Sequence, residues 1–188
     1  KPYATFGKTA CASILVWRHL HGDEPLPTMV ELIDDADRNL NVHEDVIPFM
    51  IALSVEPTTF ARWSELLSEL QSPGHYSEFL AKGRIMQEYE DVKIDMLVRD
   101  SFPIKLGGMT GLAVNSNKFF AHRVATKLSE YSKTFGAVFY LRQDGNVEVS
   151  LRRTDPDVDV ERIAATFSGG GHPGAAAFSL PVARFNEL

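Results

Sequence analysis

Residues 167–178, Phe-Ser-Gly-Gly-Gly-His-Pro-Gly-Ala-Ala-Ala-Phe, hold the most chemically suggestive spacing in the chain. Glycine lets a ligand approach the main chain closely. Successive N–H groups turned inward make an anion site, and a histidine beside it can donate to a phosphate. Gly169, Gly170, Gly171 and His172 are therefore candidate anion-binding residues, the alternative being a tight loop between a helix and a strand. The segment follows a helical pattern and precedes a strand pattern. That order excludes a Rossmann fingerprint or a P-loop, in which a helix N-terminus receives the phosphate.

Ser150-Leu151-Arg152-Arg153 lies in a second candidate strand. Side chains alternate faces along a strand, so Ser150 and Arg152 share one face if Leu151 enters the core. Arginine is the side chain best shaped to grip a phosphate at two points. Arg152 and His172 would converge on one ligand if their strands lie close in the sheet; otherwise the two arginines are an exposed strand end. Asp34-Asp35-Ala36-Asp37 places three carboxylates in four residues, enough to offer ligands to a hard divalent cation, or simply a charged surface cluster. His19, His21, His43 and His75 form no shared pattern. His122 and Arg123 begin a helix in the same half as the glycine segment. Cys11 has no base near it in sequence and is expected to be packed.

Two groups of elements must position these residues. The front half reads as helical: Lys8 to His21, a helix from a Thr28 cap with Glu31 three residues on, Glu44 to Leu53, and one after Pro57 with Phe60, Trp63, Leu66, Leu67 and Leu70 on a face. Ser72-Pro73-Gly74 is a break, and Tyr76 to Met96 is a long charged helix. Beyond it the texture changes. Strands are expected at Phe102–Leu106, Leu112–Asn115, Phe135–Arg142, Val147–Arg153 and Ala175–Leu180, with helices at Phe119–Tyr131 and Asp159–Phe167. Asp144-Gly145 is a hairpin signal. The fold class is thus α/β in the mixed α+β sense: residues 1–75 helical, 76–98 a linker helix, and 99–188 a small domain with a mixed β-sheet.

Composition bounds the function classes. Across 188 residues, 44% are hydrophobic and 23% charged, as in a globular protein. No apolar stretch is long enough to span a bilayer. One cysteine cannot form an internal disulfide, so a cytoplasmic setting is the expectation. Net charge is −6, and the first 99 residues carry 9 Lys/Arg against 16 Asp/Glu while the remainder carry 10 against 9. An acidic front half argues against coating long nucleic acid. It suits a metal site or a short anionic ligand. The chain begins at Lys1 rather than methionine, and it is expected to begin inside a longer protein.

Gly169-Gly170-Gly171-His172 followed by Ala175-Ala176-Ala177-Phe178 resembles the G-G-G-H-x-x-A-A-G-F signature of the DHH phosphoesterases. Trp17, Gly22-x-Glu24-Pro25-x-Pro27 and Ile33-Asp34-Asp35-x-Asp37 are similar, more loosely, to the stretch after that family's Asp-His-His motif. Ser150-Leu151-Arg152 is similar to its substrate-gripping strand. The resemblance implies a catalytic lobe with two divalent metals, usually manganese, and a second lobe holding the substrate phosphate. It implies Asp35 as a metal ligand, and Arg152, Gly169, Gly170, Gly171 and His172 as substrate-binding. Implied partners are short single-stranded nucleic acid, a dinucleotide or a small phosphorylated nucleotide, with a homodimer compatible and no membrane. The chain contains no Asp-His-His. The family order puts that motif before Lys1, and the chain alone is expected to be inactive. Ala177 stands where the family has glycine, which would be strained at positive φ. The alternative is a non-catalytic RNA-binding module of the kind attached to alanyl-tRNA synthetases.

Overall fold

The structure, a computed structural model, describes residues 10–38, 40 and 42–185. It divides into two compact units, residues 1–90 and 91–188. The expected helix start at Lys8 lies outside the described residues.

The first unit is helical: α1 Ala12–His21, α2 Thr28–Arg38, α3 Val46–Ser54, α4 Phe60–Glu69 and the first part of α5 Pro73–Arg99. Its core joins Leu32, Phe49, Ala52, Leu66, Phe79 and Leu80. Two local readings are corrected. The Glu31 N–H goes to the Pro27 carbonyl, so Thr28 is the first helical residue rather than the cap. Phe60 is exposed instead of lying on the buried face of α4, because Thr59 caps that helix by accepting from the Arg62 N–H and leaves Phe60 at its open first turn.

The long helix α5 starts earlier than the Tyr76 expected, at Pro73, where proline is preorganised for a first helical position. Its early residues Phe79 and Leu80 belong to the helical core. Its later residues Ile94, Leu97 and Val98 belong to a core of the second unit. Asp91 and Asp95 form ion pairs there with Arg123 and Lys127.

The second unit is a six-stranded sheet of order β1-β2-β3-β4-β6-β5, with β2 and β3 parallel and the other neighbours antiparallel. The strands are β1 Phe102–Leu106, β2 Met109–Asn115, β3 Phe135–Leu141, β4 Asn146–Arg153, β5 Gly170–His172 and β6 Ala175–Pro181. The helix α6, Ala121–Ser132, crosses between the two parallel strands, as a parallel pair requires. The remaining helices are α7 Val160–Ala165 and α8 Val182–Phe185. Side-chain alternation sorts the sheet into two faces. Val147, Val149 and Leu151 of β4 join Ala137, Ala176, Phe178, Val160 and Ile163 on the α7 face. Val114 of β2 and Val138 of β3 join Val124, Ala125 and Leu128 of α6 on the other.

β2 begins three residues before the expected Leu112. Gly107 and Gly108, at φ 56° and 84°, form a two-residue hairpin that extends the pairing back to Leu106 opposite Met109. α7 is shorter than expected, because Asp159 stands outside as its cap and accepts from the N–H groups of Glu161 and Arg162. β5 and α8 were not expected at all.

Candidate functional site

β4 fulfils the alternation read from its sequence. Leu151 is fully buried, while Ser150 and Arg152 turn to the opposite face, the one beneath α6. Strand register then builds the site. Arg152 pairs with Ala175 of β6, and Ala175 pairs with His172 of β5. Ser150 pairs with Ala177, and Ala177 with Gly170. Residues directly opposite across an antiparallel ladder send their side chains to the same face. Arg152 and His172 therefore stand on one face, two strand spacings or roughly 10 Å apart at the backbone. Between them lies a floor of Ala175, Ala177 and Gly170, with almost no side chain to obstruct a ligand.

Arg152 is held from two sides. Its Nε donates to Nδ1 of His122 at 3.1 Å, and its Nη1 donates to the Leu151 carbonyl at 2.8 Å. A guanidinium has no acceptor, so His122 Nδ1 must carry the lone pair and the ring proton sits on Nε2. Burial lowers the His122 pKa, and the nearby Arg152 and Arg123 lower it further, which favours this neutral form. Burial also pulls the Arg152 pKa down. Among the described residues no carboxylate pairs with Arg152, and its remaining N–H donors are left for a ligand. Arg123, one residue after His122, is by contrast paired with Asp91.

The glycine segment differs from the nest expected of it. Gly170 and Gly171 are strand residues of β5, and successive N–H groups of a strand point to opposite sides rather than to one centre. The turn out of α7 is made by Ser168, at φ 61°, with Ser168 N–H on the Ala165 carbonyl and Gly169 N–H on that of Ala164. This is a Schellman motif whose left-handed position is occupied by serine. The glycines serve close approach instead. A Cβ on Gly169 would lie 2.3 Å from the Ala177 carbonyl oxygen, and one on Gly171 2.5 Å from that of Ala175. A Cβ on Gly170 would meet nothing within 4 Å. Ala177 is an ordinary strand residue without positive φ, so the strain foreseen for it does not arise.

His172 is exposed beside the Pro173-Gly174 turn. The Pro173 carbonyl accepts from Val160 N–H at 3.0 Å and from Arg153 Nε at 3.3 Å, tying that turn to α7 and β4. The structure thus brings Arg152, His172, Gly170, Ser150 and His122 together. The Arg152–His122 contact was not foreseen, although His122 stood out by its place at the start of a helix.

Asp35 lies in the helical unit on α2 and is almost fully buried. Its Oδ2 accepts from Val42 N–H at 3.0 Å, His43 N–H at 2.8 Å and His43 Nδ1 at 2.9 Å. The carboxylate thereby ties Val42 and His43 to α2. Asp34 binds Cys11 N–H at 2.6 Å and Arg38 at 3.0 Å. Burial would raise the Asp34 pKa, but these bonds outweigh it and hold the carboxyl below its ordinary value. Asp37 is exposed. Among the described residues no group of three His, Cys, Asp or Glu side chains could hold a metal ion. A cleft in the same unit, lined by Glu56, Glu69, His75, Glu78 and Lys82, is a salt-bridge network in which Lys82 and Arg62 neutralise Glu56. No helix among the described residues is long and apolar enough to cross a membrane.

Residues 116–188 match the family model of the DHHA1 domain. The match covers 73 of the 188 residues and lies wholly within the second unit. His122, Ser150, Arg152 and the Gly169–His172 segment all fall within the matched residues. β1 and β2, which complete the sheet, precede the matched segment. Among solved structures, a pGpG-specific phosphodiesterase, PggH from Vibrio cholerae, superposes with a TM-score of 0.52 at 12% identity, over 93% of this chain and 68% of that one. An uncharacterized protein from Helicobacter pylori G27 matches with a TM-score of 0.37 at 14% identity, over 95% of this chain and 63% of that one. No curated protein matches in sequence.

Proposed function

We propose that this chain is the substrate-holding portion of a DHH-type phosphoesterase, and that its DHHA1 domain grips the phosphate of a dinucleotide or other short nucleotide. One observation carries the reading: Arg152 is a partly buried guanidinium with no carboxylate partner, on the same face as His172 and above a floor of alanine and glycine. Leaving a desolvated cation unpaired is costly, and a phosphate would supply the missing charge with two parallel hydrogen bonds. His172 adds a donor from the opposite side of the floor. His122 fixes the guanidinium plane by accepting from Nε and can present its own Nε2–H. The ligand size agrees with the name of the structurally similar Vibrio protein, which acts on pGpG.

In the family that the sequence resembles, divalent metals supply the Lewis acidity for attack at phosphorus. The described residues do not assemble that centre, so the role assigned here is binding and orientation. Calorimetric titration of the chain with pGpG tests it. Each hydrogen bond to a charged group is worth about 1.5–3 kcal/mol, so Arg152→Ala should weaken binding at least tenfold. His172→Ala should weaken it by a smaller factor. Unchanged affinity in Arg152→Ala would overturn the assignment.

A further inference from the structure

Phe119 is 82% exposed, although its neighbour Phe120 packs against the α6 core. Its place is fixed by the turn that opens α6. The Phe119 N–H donates to Asn117 Oδ1 at 3.0 Å, and the Lys118 carbonyl accepts from Ala121 N–H. Phe120 has helical dihedrals at φ −94° and ψ −6°, so the turn leads directly into α6. Phe119 therefore lies one turn before His122, on the stripe that continues through Thr126 to Ser129.

Two contacts orient that stripe over β4. His122 meets Arg152, and Ser129 Oγ meets Thr154 Oγ1 at 3.3 Å. Both sequences ascend together, so α6 and β4 run in the same direction. Three residues back along a helix is about 4.5 Å, and a strand rises roughly 3.3 Å per residue. Phe119 thus comes to the level of the Ser150–Ala177–Gly170 row, beside the ligand floor and displaced from Arg152 along the strand. An exposed aromatic face at that position, next to a cation and a floor without side chains, is what a base flanking a bound phosphate would stack upon. Stacking of this kind tolerates any base, since every base has a π face.

We propose that Phe119 is a stacking platform for the nucleobase of the phosphorylated ligand. This rests on the phosphate-binding reading of Arg152, and the test separates the two. The probes are adenosine 5′-monophosphate and ribose 5-phosphate, titrated into the chain and into Phe119→Ala, Phe119→Trp and Arg152→Ala. Phe119→Ala should weaken the nucleotide by about tenfold to a hundredfold and leave ribose 5-phosphate unchanged. Phe119→Trp should retain or tighten nucleotide binding. Because the side chain is exposed, these substitutions should leave the melting temperature as it is, which a thermal scan verifies. Equal losses for both probes, or no loss for either, overturn the platform while an Arg152→Ala defect still supports the phosphate site. A nucleotide that responds to Phe119→Ala but not to Arg152→Ala overturns the phosphate site and supports the platform. A wild-type chain that binds neither probe overturns both.

Discussion

The three consecutive glycines can be separated by substituting each with alanine, because the structure gives each methyl group a different fate. At Gly169 the new Cβ would sit 2.3 Å from the Ala177 carbonyl oxygen and 2.5 Å from Phe178 Cβ. The oxygen and the Phe178 Cα at 2.8 Å are main-chain atoms that cannot rotate aside, so relief requires β5 and β6 to move apart by about 1 Å. Overpacking of that kind costs about 1–3 kcal/mol, and the backbone contacts place this case at the upper end. At Gly171 a comparable clash with the Ala175 carbonyl adds to a φ of 150°, itself costing about 1–3 kcal/mol for a residue with a side chain. At Gly170 there is no contact within 4 Å, and restricting the unfolded chain should stabilise by about 0.4–1 kcal/mol. For a unit of about 100 residues, 1 kcal/mol shifts Tm by about 4–8 °C. Scanning calorimetry should therefore show Gly169→Ala and Gly171→Ala melting about 10 °C or more below the parent, and Gly170→Ala melting at or slightly above it. Gly170 also shares its face with Ser150 and Arg152, so its methyl would stand on the ligand floor. Gly170→Ala should bind pGpG more weakly while remaining fully folded. If Gly170→Ala melts with Gly169→Ala, the strand register is wrong. If it melts normally and binds normally, the ligand does not rest on this floor.

Two further outcomes follow from the same geometry. Ser168 occupies a left-handed position that disfavours residues with a Cβ by about 1–2 kcal/mol, so Ser168→Gly should raise stability by about 1 kcal/mol in a chemical denaturation curve, and a lower midpoint would count against the helix ending described. His122 titrates below its ordinary 6.5 through burial and the adjacent Arg152 and Arg123. The folded state then binds fewer protons than the unfolded state on the acid side, so the contribution of neutral His122 is complete above about pH 6.5 and is lost as pH falls through the lower folded value. His122→Asn keeps an acceptor for Arg152 Nε but has no proton to gain. Its Tm should fall less between pH 7 and pH 5 than that of the parent, and superimposable profiles would remove His122 from the acid response.

What the sequence disclosed was set by side-chain periodicity. β4 was legible because Val147, Val149 and Leu151 alternate with polar residues, and from that alternation the shared face of Ser150 and Arg152 followed directly. The turn at Asp144-Gly145 was legible because Gly145 supplies the positive φ that such hairpins need. β5 was not legible, since glycines carry no alternating pattern, and a strand without side chains reads as a loop. The Gly107-Gly108 hairpin carried a usable signal in its paired glycines, one that the apolar pattern starting at Leu112 obscured. Contacts across long separations could not be read at all. His122 reaches Arg152 only because the sheet inserts β3 between α6 and β4, thirty residues apart. Asp35 stood out as a metal ligand through the family resemblance, and its hydrogen bonds to Val42 and His43, beyond the end of its helix, carried no signal in the sequence.

The strand order has a consequence for how the molecule behaves among other copies of itself. β5 lies at one margin of the sheet and β1 at the other. Sheet margins expose unpaired main-chain groups on which foreign strands can grow. Here one margin is only three residues long, two of them glycine, so an incoming strand would find few bonds and no side chains to pack against. At the other, Pro103 deletes a donor and Lys105 adds a charge. The surface proposed to hold the phosphate is thereby placed where open surface carries little risk of aggregation.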